Sequence, residues 1–437
     1  MMSRIIEYIK DKKILILGFG REGKSTYNYI RKHLPQKALS IGDKNKPEID
    51  DSNVNIIYGD DYLECLGDFD IVFKSPGIAF LEDNMYLETT EITCQTDMFL
   101  RFCEPTVVGI TGSKGKTTTS TLIYEMLKAG GVNTCLIGNI GVPVFEKADE
   151  GKDLVAVIEM SSHQLEFTTA SPHVAVIVNI YEEHLDHYKT GFKGYVGAKL
   201  NIALHQHKDD VLIYNPEQNL EGVVNWNETV KGIPAPVTFT DAQNDSFVNE
   251  LWNSTEHLKG EHNRQDIAYA LAAARVFGVS DEAAKLAIKN FGGIEHRMEY
   301  VGVVNGVTYY NDSIATIPTA VMGAVKAIGN VDTHIFGGLD RGIDYTDFIE
   351  FLKSNSVNNL IGLPETGHTI IAELKKQGCT KNMICAKDMA DAVKSADECT
   401  EKGKSCLFSP AAASYNYYKN FEEKGKHYKS LIAELTK

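Results

Sequence analysis

Thr106-Val107-Val108-Gly109-Ile110-Thr111-Gly112-Ser113-Lys114-Gly115-Lys116-Thr117-Thr118-Thr119 is the stretch on which the reading of the chain turns. A β-branched run gives way to small residues, and beyond Lys116 the apolar residues Leu122, Ile123, Met126 and Leu127 fall at helical spacing. A strand, a glycine-rich loop and a helix N-terminus in that order predict an anion site, because backbone N–H groups and the helix dipole point at the ligand. Lys116 is expected to reach the β/γ-phosphates of a nucleotide, and Thr117 to offer its hydroxyl to Mg²⁺. The match to the common phosphate-loop pattern is incomplete, since Ile110 stands where its first glycine belongs. A glycine-rich turn with an exposed lysine is the plainer alternative, and the strand–loop–helix context favours the phosphate reading.

Working outward, 437 residues exceed what one hydrophobic core organises, so about two to four domains are expected. With 43% hydrophobic and 24% charged residues the composition is that of a globular protein. A net charge of −15 argues against a nucleic-acid backbone as partner, so a phosphate-rich ligand has to be held by local cations such as Lys114 and Lys116. Cys65, Cys94, Cys103, Cys135, Cys379, Cys385, Cys399 and Cys406 form no Cys-x-x-Cys pair, which predicts reduced, mostly core thiols in the cytoplasm rather than a zinc ribbon or redox centre. Met1–Lys13 has no apolar leader core, and no run of about 18 apolar residues occurs; neither secretion nor membrane insertion is expected.

Before the phosphate loop the chain alternates strand and helix. Ile14–Leu17 reads as a buried strand leading into Gly18-Phe19-Gly20-Arg21-Glu22-Gly23, and Ala38–Ile41 as a second strand with Asp43 beyond it. Such a turn, with an acid about 20 residues on, suits a dinucleotide, but equally any phosphate or uridine, or close strand–helix packing without a ligand. Phe69–Phe73 runs into Lys74-Ser75-Pro76-Gly77, a polar loop at a strand's carboxyl end, where open α/β sheets bind ligands.

Pro105 marks one junction and Gly292-Gly293 another. Between them, Asn133–Ile137, Leu154–Ile158 and Val174–Ile180 are near-continuous apolar strands, which predicts a parallel sheet covered by helices. Glu159 follows one of them and suits Mg²⁺, with a dipole-favoured acid at a helix start as the alternative. His184 follows another; a hydrogen-bonded loop histidine is its plainer reading. His187 lies three residues on, but no cysteine or carboxylate set completes a zinc site. Lys199, within a helical stretch, reads as an exposed surface lysine. After the second junction, Asn305-Gly306 between two strand-like runs predicts a hairpin, and further α/β alternation follows. Asp312, Ser313 and Thr316 look like a strand-end site, and Arg341 in Gly337-Gly338-Leu339-Asp340-Arg341 could pair a carboxylate. Composition and spacing thus reach a multi-domain α/β protein with Mg²⁺-nucleotide in its middle segment, and do not give the reaction.

The chain resembles the Mur ligase family along nearly its whole length. The resemblance is carried by Gly109–Thr118, Glu159-Met160-Ser161-Ser162-His163-Gln164-Leu165-Glu166, Asn179–Asp186, Ala198-Lys199-Leu200, His262-Asn263, His296-Arg297, Asn311-Asp312-Ser313, Ser409-Pro410-Ala411 and Lys419-Asn420-Phe421-Glu422. It implies three domains: a UDP-binding Rossmann-like one at 1–104, a central ATPase at 105–297 and a C-terminal Rossmann-like α/β one at 298–437. It implies a monomer that uses ATP and two Mg²⁺ ions to add D-glutamate to a UDP-N-acetylmuramoyl-L-alanine carboxylate through an acyl phosphate. By matching positions, Gly112, Ser113, Lys114, Gly115, Lys116, Thr117, Thr118, Asn263, Arg297 and Asp312 would contact ATP. Thr117 and Glu159 would hold one Mg²⁺ and His184 a second, with Lys199 carbamoylated as a further ligand. Lys116, Glu159, His184 and Lys199 would form the catalytic set. Arg21, Asp43, Ser75, Gly77 and Asn139 would hold the UDP moiety, and Thr316, Arg341, Ser414 and Phe421 the acceptor glutamate.

Three departures from the family pattern stand out: Ile314 where a lysine is usual, Arg341 where a lysine is usual, and Asp266 where an asparagine is common near the adenine. The first two leave L-glutamate or another acidic amino acid open as acceptor. The Gly18–Gly23 turn with Asp43 leaves an NAD-dependent oxidoreductase as the rival from another class.

Overall fold

The computed structural model describes residues 3–81, 89–215, 231–239, 242–255, 257–258, 261–414 and 417–435. Much of the polar stretch 217–255, for which the sequence predicts no clear element, lies outside them. The described chain is mixed α/β and carries three sheets, within two compact units, Met1–Phe291 and Gly292–Lys437.

The first unit holds two of the sheets. One is built from β1 (Ile14–Leu17), β2 (Leu39–Asp43), β3 (Val54–Tyr58), β4 (Ile71–Lys74) and β5 (Glu91–Thr93), in the order β3-β2-β1-β4-β5. The other is built from β6 (Thr106–Thr111), β7 (Thr134–Gly138), β8 (Val155–Glu159), β9 (Val174–Ile177), β10 (Val211–Tyr214) and β11 (Val237–Phe239), in the order β11-β10-β9-β6-β8-β7. All pairings in both are parallel. The apolar runs explain this: every residue of β1, β8 and β9 is buried, so these strands are covered on both faces. One hydrophobic cluster runs from Ile5, Ile16 and Phe73 to Phe145, Ile158 and Ile177, joining the two sheets into one unit. Chain order reverses beside β1 in the first sheet and beside β6 in the second, so the Gly18 turn and the phosphate loop open at switch points.

The second unit carries β12 (Glu299–Val304), β13 (Val307–Asn311), β14 (Val331–Phe336), β15 (Asn359–Gly362), β16 (Asn382–Cys385) and β17 (Ser405–Phe408), in the order β12-β13-β17-β14-β15-β16. Only β12 and β13 pair antiparallel, and Asn305 and Gly306 between them have φ of 53° and 84°, the left-handed pair a type I′ turn needs. Alternate residues feed separate cores: Ile335, Cys406 and Phe408 pack on one face of the sheet, Phe336 and Leu407 on the other.

Some elements escape the sequence reading. The helix Arg4–Ile9 buries Ile5, Ile6 and Ile9. The edge strands β3 and β16 are only partly buried and carry exposed positions, so they lack the continuous apolar signal. The cysteines are unpaired; Cys94 and Cys406 are buried, whereas Cys385 is exposed rather than core. Among the described residues no helix is long and apolar enough to cross a membrane.

Candidate active site

Gly115 caps the helix Lys116–Ala129 with φ of 79°. A Cβ there would fall 2.7 Å from Asp266 Oδ1 and 2.9 Å from Val178 Cγ1, so both conformation and space demand glycine. Behind it the first N–H groups of the helix face the loop without intrahelical acceptors, the anion-binding condition. Lys116 Nζ folds back to donate to the Gly112 and Ser113 carbonyls at 2.8 and 3.0 Å. Because β8 lies beside β6, Glu159 at its end meets the loop: Thr117 Oγ1 donates to Glu159 Oε2 at 2.8 Å and Asn139 Nδ2 to Oε1 at 2.7 Å. Glu159 is only 1% exposed. Thr118 follows on the helix's first turn. The hydroxyl of Thr117 and the carboxylate of Glu159 form a hard oxygen set suited to Mg²⁺ completed by phosphate and water.

Beyond β9 the chain braces the loop. Ser113 N donates to the Asn179 carbonyl and Lys114 N to Asn179 Oδ1, each at 2.8 Å. Ser113 Oγ accepts from Tyr181 N at 2.8 Å and lies 2.6 Å from the Tyr195 hydroxyl. The Lys114 ammonium pairs with Glu183.

Lys199 is not the exposed lysine its helix suggests. The helix Phe192–Leu204 turns it under the phosphate loop, 1% exposed, where Nζ donates to the Gly112 carbonyl at 2.8 Å and lies 4.7 Å from the Tyr195 ring centroid. Its pKa is pushed well below the ordinary lysine value, first by burial and then by the nearby Lys116 charge.

His184 adopts φ of 53° and sits in a ring cluster, 4.9 Å from His163 and 6.3 Å from Tyr195 between centroids. His163 stacks on His187 at 3.8 Å, and burial, with the two neighbouring histidines, pushes it down to about 4. Glu166 Oε2 meets Lys74 Nζ at 3.1 Å and His187 Nε2 at 3.4 Å. Among the described residues no three His, Cys, Asp or Glu side chains converge as a metal-binding set.

At the Gly18 turn, Phe19 N donates to Asp43 Oδ2 at 2.8 Å and Ser75 Oγ to the Gly18 carbonyl at 2.9 Å. Arg21 reaches the second sheet, donating to the carbonyls of Gly138 and Asn139 at 3.1 Å. Arg21, Asp43, Ser75 and Asn139 are thereby gathered around one turn, with Gly77 exposed two residues past Ser75. The turn is tied into the central unit through Glu22, which accepts from Gln164 Nε2 at 2.6 Å, while Gln164 also closes a capping box with Ser161.

Next to the phosphate loop a cavity of about 460 Å³ is lined by Lys114, Asn179, His262, Gln265, Asp266 and Tyr269. Asn263 lies in the first turn of the same helix, Glu261–Val276. Asp266 is 3% exposed, takes one hydrogen bond from Thr119 Oγ1 at 3.2 Å, and is pushed up to about 7 by burial.

The remaining candidates belong to the second unit. Asp312, at the end of β13, accepts from Ser409 Oγ at 2.6 Å and Met298 N at 3.1 Å, and burial pushes it up to about 6 against the pull of those bonds and Arg297. Asn311 Nδ2 lies 2.9 Å from His296 Nδ1 and 2.8 Å from Glu299 Oε2. The helix Phe421–Glu434 closes on this cluster: a Cβ on Gly425 would stand 2.4 Å from both His296 Nδ1 and Ser313 Oγ. The rings of His296 and Phe421 lie 6.0 Å apart, edge to face. Thr316 is half-buried and Arg341 exposed on the loop after β14, while Ser414 is buried. The nucleotide candidates are therefore divided, with Gly112–Thr118 and Asn263 on the first unit and Arg297 and Asp312 on the second.

Sequence reasoning passed over Tyr195, which braces Ser113, and Lys424, which is buried. Lys424, Tyr428 and Ile432 recur at a spacing of four and are all buried, a helical stripe that could have exposed the lysine.

Two family models match the chain: the Mur ligase middle domain over residues 110–295 and the Mur ligase, glutamate ligase domain over 296–412. The UDP-N-acetylmuramoylalanine–D-glutamate ligase of Clostridium botulinum (strain Okra / Type B1) is 32% identical over 99% of both chains. The chain belongs to the Mur ligase family. The Clostridium acetobutylicum ligase of the same name is 34% identical, again over 99% of both chains. The solved structure of a MurF ligase from Thermotoga maritima in complex with ADP shares the fold, with a TM-score of 0.51 at 14% identity over 97% of this chain and 96% of that one. The oxidoreductase alternative falls here: the full-length relatives are ligases.

Proposed function

We propose that this Mur ligase joins D-glutamate to the alanine carboxylate of UDP-N-acetylmuramoyl-L-alanine in peptidoglycan precursor synthesis, converting ATP to ADP and phosphate. The observation that carries the reading is the meeting of Lys116, Thr117, Glu159 and Lys199 at adjacent strand ends around a phosphate loop. The end-to-end likeness to ligases of that name supports the substrate, and the ADP held by a structural neighbour supports the nucleotide.

In the first step an oxygen of the alanine carboxylate attacks the γ-phosphorus, the bond to the bridging oxygen breaks, and ADP leaves. In the second the glutamate amine attacks the acyl carbon, the bond to the phosphate oxygen breaks, and phosphate and a proton depart. Both steps gather negative charge, which Lys116 answers by exchanging the Gly112 and Ser113 carbonyls for phosphate oxygens. Mg²⁺ held by Thr117 and Glu159 would neutralise charge on those oxygens. Lys199, whose charged form burial disfavours, is suited to add carbon dioxide at its amine with loss of a proton, giving a carbamate that would serve a second Mg²⁺ with His184. Arg21, Asp43, Ser75, Gly77 and Asn139 are assigned to the UDP moiety. Asn263, Arg297 and Asp312 are assigned to the nucleotide, and Thr316, Arg341, Ser414 and Phe421 to the acceptor. The division into domains at 1–104, 105–297 and 298–437, a monomeric state and a cytoplasmic location complete the proposal.

L-Glutamate is the second reading, favoured by Arg341 and Ile314 in the acceptor segment. Phosphate release measured with each component omitted tests the main one. It is expected only when the UDP-sugar, glutamate and Mg²⁺ are all present, with a product heavier by one glutamyl residue. Release that ignores glutamate overturns the ligase reading, and preference for the L-isomer selects the second.

A further inference from the structure

The turn that leads into β12 holds two residues in costly backbone conformations. His296 has φ of 67° and Met298 φ of 42°, both in the left-handed region that side chains disfavour. The two flank Arg297, which is exposed. Such a turn persists only where its surroundings over-determine it. Here each backbone N–H from 296 to 298 is engaged. His296 N donates to Glu299 Oε2 at 2.8 Å, Arg297 N to the Ile294 carbonyl at 3.0 Å, and Met298 N to Asp312 Oδ1 at 3.1 Å. The His296 carbonyl accepts from Ile314 N at 3.2 Å.

Glu299 is the centre of this bracing. It opens β12 directly opposite Asn311, the last residue of β13, and its side chain is 15% exposed. Oε2 also accepts from Asn311 Nδ2 at 2.8 Å, and Oε1 from Lys429 Nζ at 2.6 Å. Lys429 stands on the helix Phe421–Glu434 and reaches Glu295 as well, at 2.9 Å. One carboxylate thus joins the turn to the sheet and to the last helix. Gly425 and Lys429 are four residues apart, on one face of that helix, and a Cβ on Gly425 would stand 2.9 Å from Asn311 Nδ2, so the helix is seated closely on the same group. An ion pair whose carboxylate also takes two further hydrogen bonds is a stiffer tie than a lone surface pair.

We propose that Glu299, anchored by Lys429, is a positioning residue that fixes this turn and thereby aims Arg297 at the nucleotide. The proposal rests on the assignment of Arg297 to the nucleotide above and adds the device that holds it. A tie between helix and sheet needs no left-handed residues beside it, whereas a turn that must project one cation does. Fixing the backbone beforehand removes part of the ordering cost from binding.

The ATP KM is measured in the complete reaction, with the UDP-sugar, D-glutamate and Mg²⁺ present. No glutamate-dependent phosphate release from wild type defeats the proposed function itself, and the inference with it. Arg297→Met is expected to raise the ATP KM about tenfold, the loss of one charge-assisted contact. An unchanged value removes Arg297 from the nucleotide and overturns that assignment and the inference together. Glu299→Gln keeps the shape and removes the charge; it is expected to raise the ATP KM about fivefold and to leave the KM for the UDP-sugar and glutamate within about twofold. The double variant decides: once Glu299 is glutamine, Arg297→Met is expected to add only about twofold, because the arginine has already lost its aim. An ATP KM unchanged by Glu299→Gln, a loss spread over all three substrates, or an undiminished effect of Arg297→Met in the double variant makes Glu299 structural and overturns the inference, with the nucleotide assignment intact. If Glu299→Gln does not fold, Lys429→Met takes its place in the same cycle, with about a threefold rise expected alone, the same loss of additivity, and recovery in Lys429→Arg; full additivity there overturns the inference.

Discussion

The phosphate loop of the first unit and the Gly338–Ser414 region of the second are both polar clusters at strand ends, but they treat their own side chains differently. At the loop the groups hold one another: Thr117 and Asn139 share the two oxygens of Glu159, and Lys116 and Lys199 share the Gly112 carbonyl. Ser113 is engaged by both Tyr181 and Tyr195. In the second unit Ser313 Oγ and Ser414 Oγ are buried without partners among the described residues, and Lys424 has one carbonyl. A site whose groups pair internally is organised before its ligand arrives and trades those bonds for the ligand's. A site with unmet groups gains new bonds when filled, so its specificity depends on a ligand that satisfies them.

The largest effect is expected at Lys199. Removing it from beneath the loop deletes the group assigned to carry the carbamate. Lys199→Ala is expected to lose about 10²-fold or more in glutamate-dependent phosphate release, a typical result of deleting one electrostatic contributor. Millimolar short-chain carboxylates added to the assay should restore part of it, because they place a carboxylate where the carbamate stood. Full activity in the unsupplemented variant would show that the loop needs no anion there.

The two regions also differ in how much of them the sequence discloses. The loop is legible because its parts are local: β6, three glycines and an amphipathic helix lie within residues 106–129. Glu159 is legible because an apolar strand ends on it. The burial of Lys199 is not, since its partners Thr111 and Gly112 are 88 and 87 residues away and its helix is too apolar all round to show which side faces inward. Lys424 hides for another reason. It lies in Lys419-Asn420-Phe421-Glu422-Glu423-Lys424-Gly425-Lys426, where charge density suggests a solvated helix face, and only the spacing to Tyr428 and Ile432 says otherwise. The edge strands β3 and β16 escape because an edge need not be apolar on both faces.

Asp266 is the exception at the loop, since its Oδ2 is buried without a partner. Burial raises its folded-state pKa from the ordinary carboxylate value to about 7, so the folded state binds a proton that the unfolded chain has already released above about pH 4. Stability therefore falls as pH rises through the window from about 4 to about 7, and flattens beyond it. Asp266→Asn keeps the shape and removes the ionisation. Urea unfolding at pH 5 and pH 8 is expected to show wild type losing about 1–3 kcal/mol more than the variant between the two. Equal losses would mean that Asp266 is solvated or paired at pH 8, which would also erase its contrast with the paired groups Glu159 and Thr117.

The smallest effect is the sharpest test of the comparison. The Ser414 hydroxyl has no hydrogen-bond partner among the described residues, so Ser414→Ala removes a buried hydroxyl at no loss of a hydrogen bond. Thermal unfolding should leave stability within about 0.5 kcal/mol of wild type, or slightly above it, since an unmet polar group is replaced by a methyl. If the hydroxyl is instead a contact for the acceptor, the glutamate KM rises about three- to tenfold while the KM for ATP stays put, because one neutral hydrogen bond contributes about 1 kcal/mol. Thr117→Ala gives the opposite signature: it strips a partner from a carboxylate that is 1% exposed, so stability and Mg²⁺ dependence should change together. A destabilised Ser414→Ala with an unaltered glutamate KM would place Ser414 among the internally paired groups, and the second region would then differ from the first only in the lysine beside it.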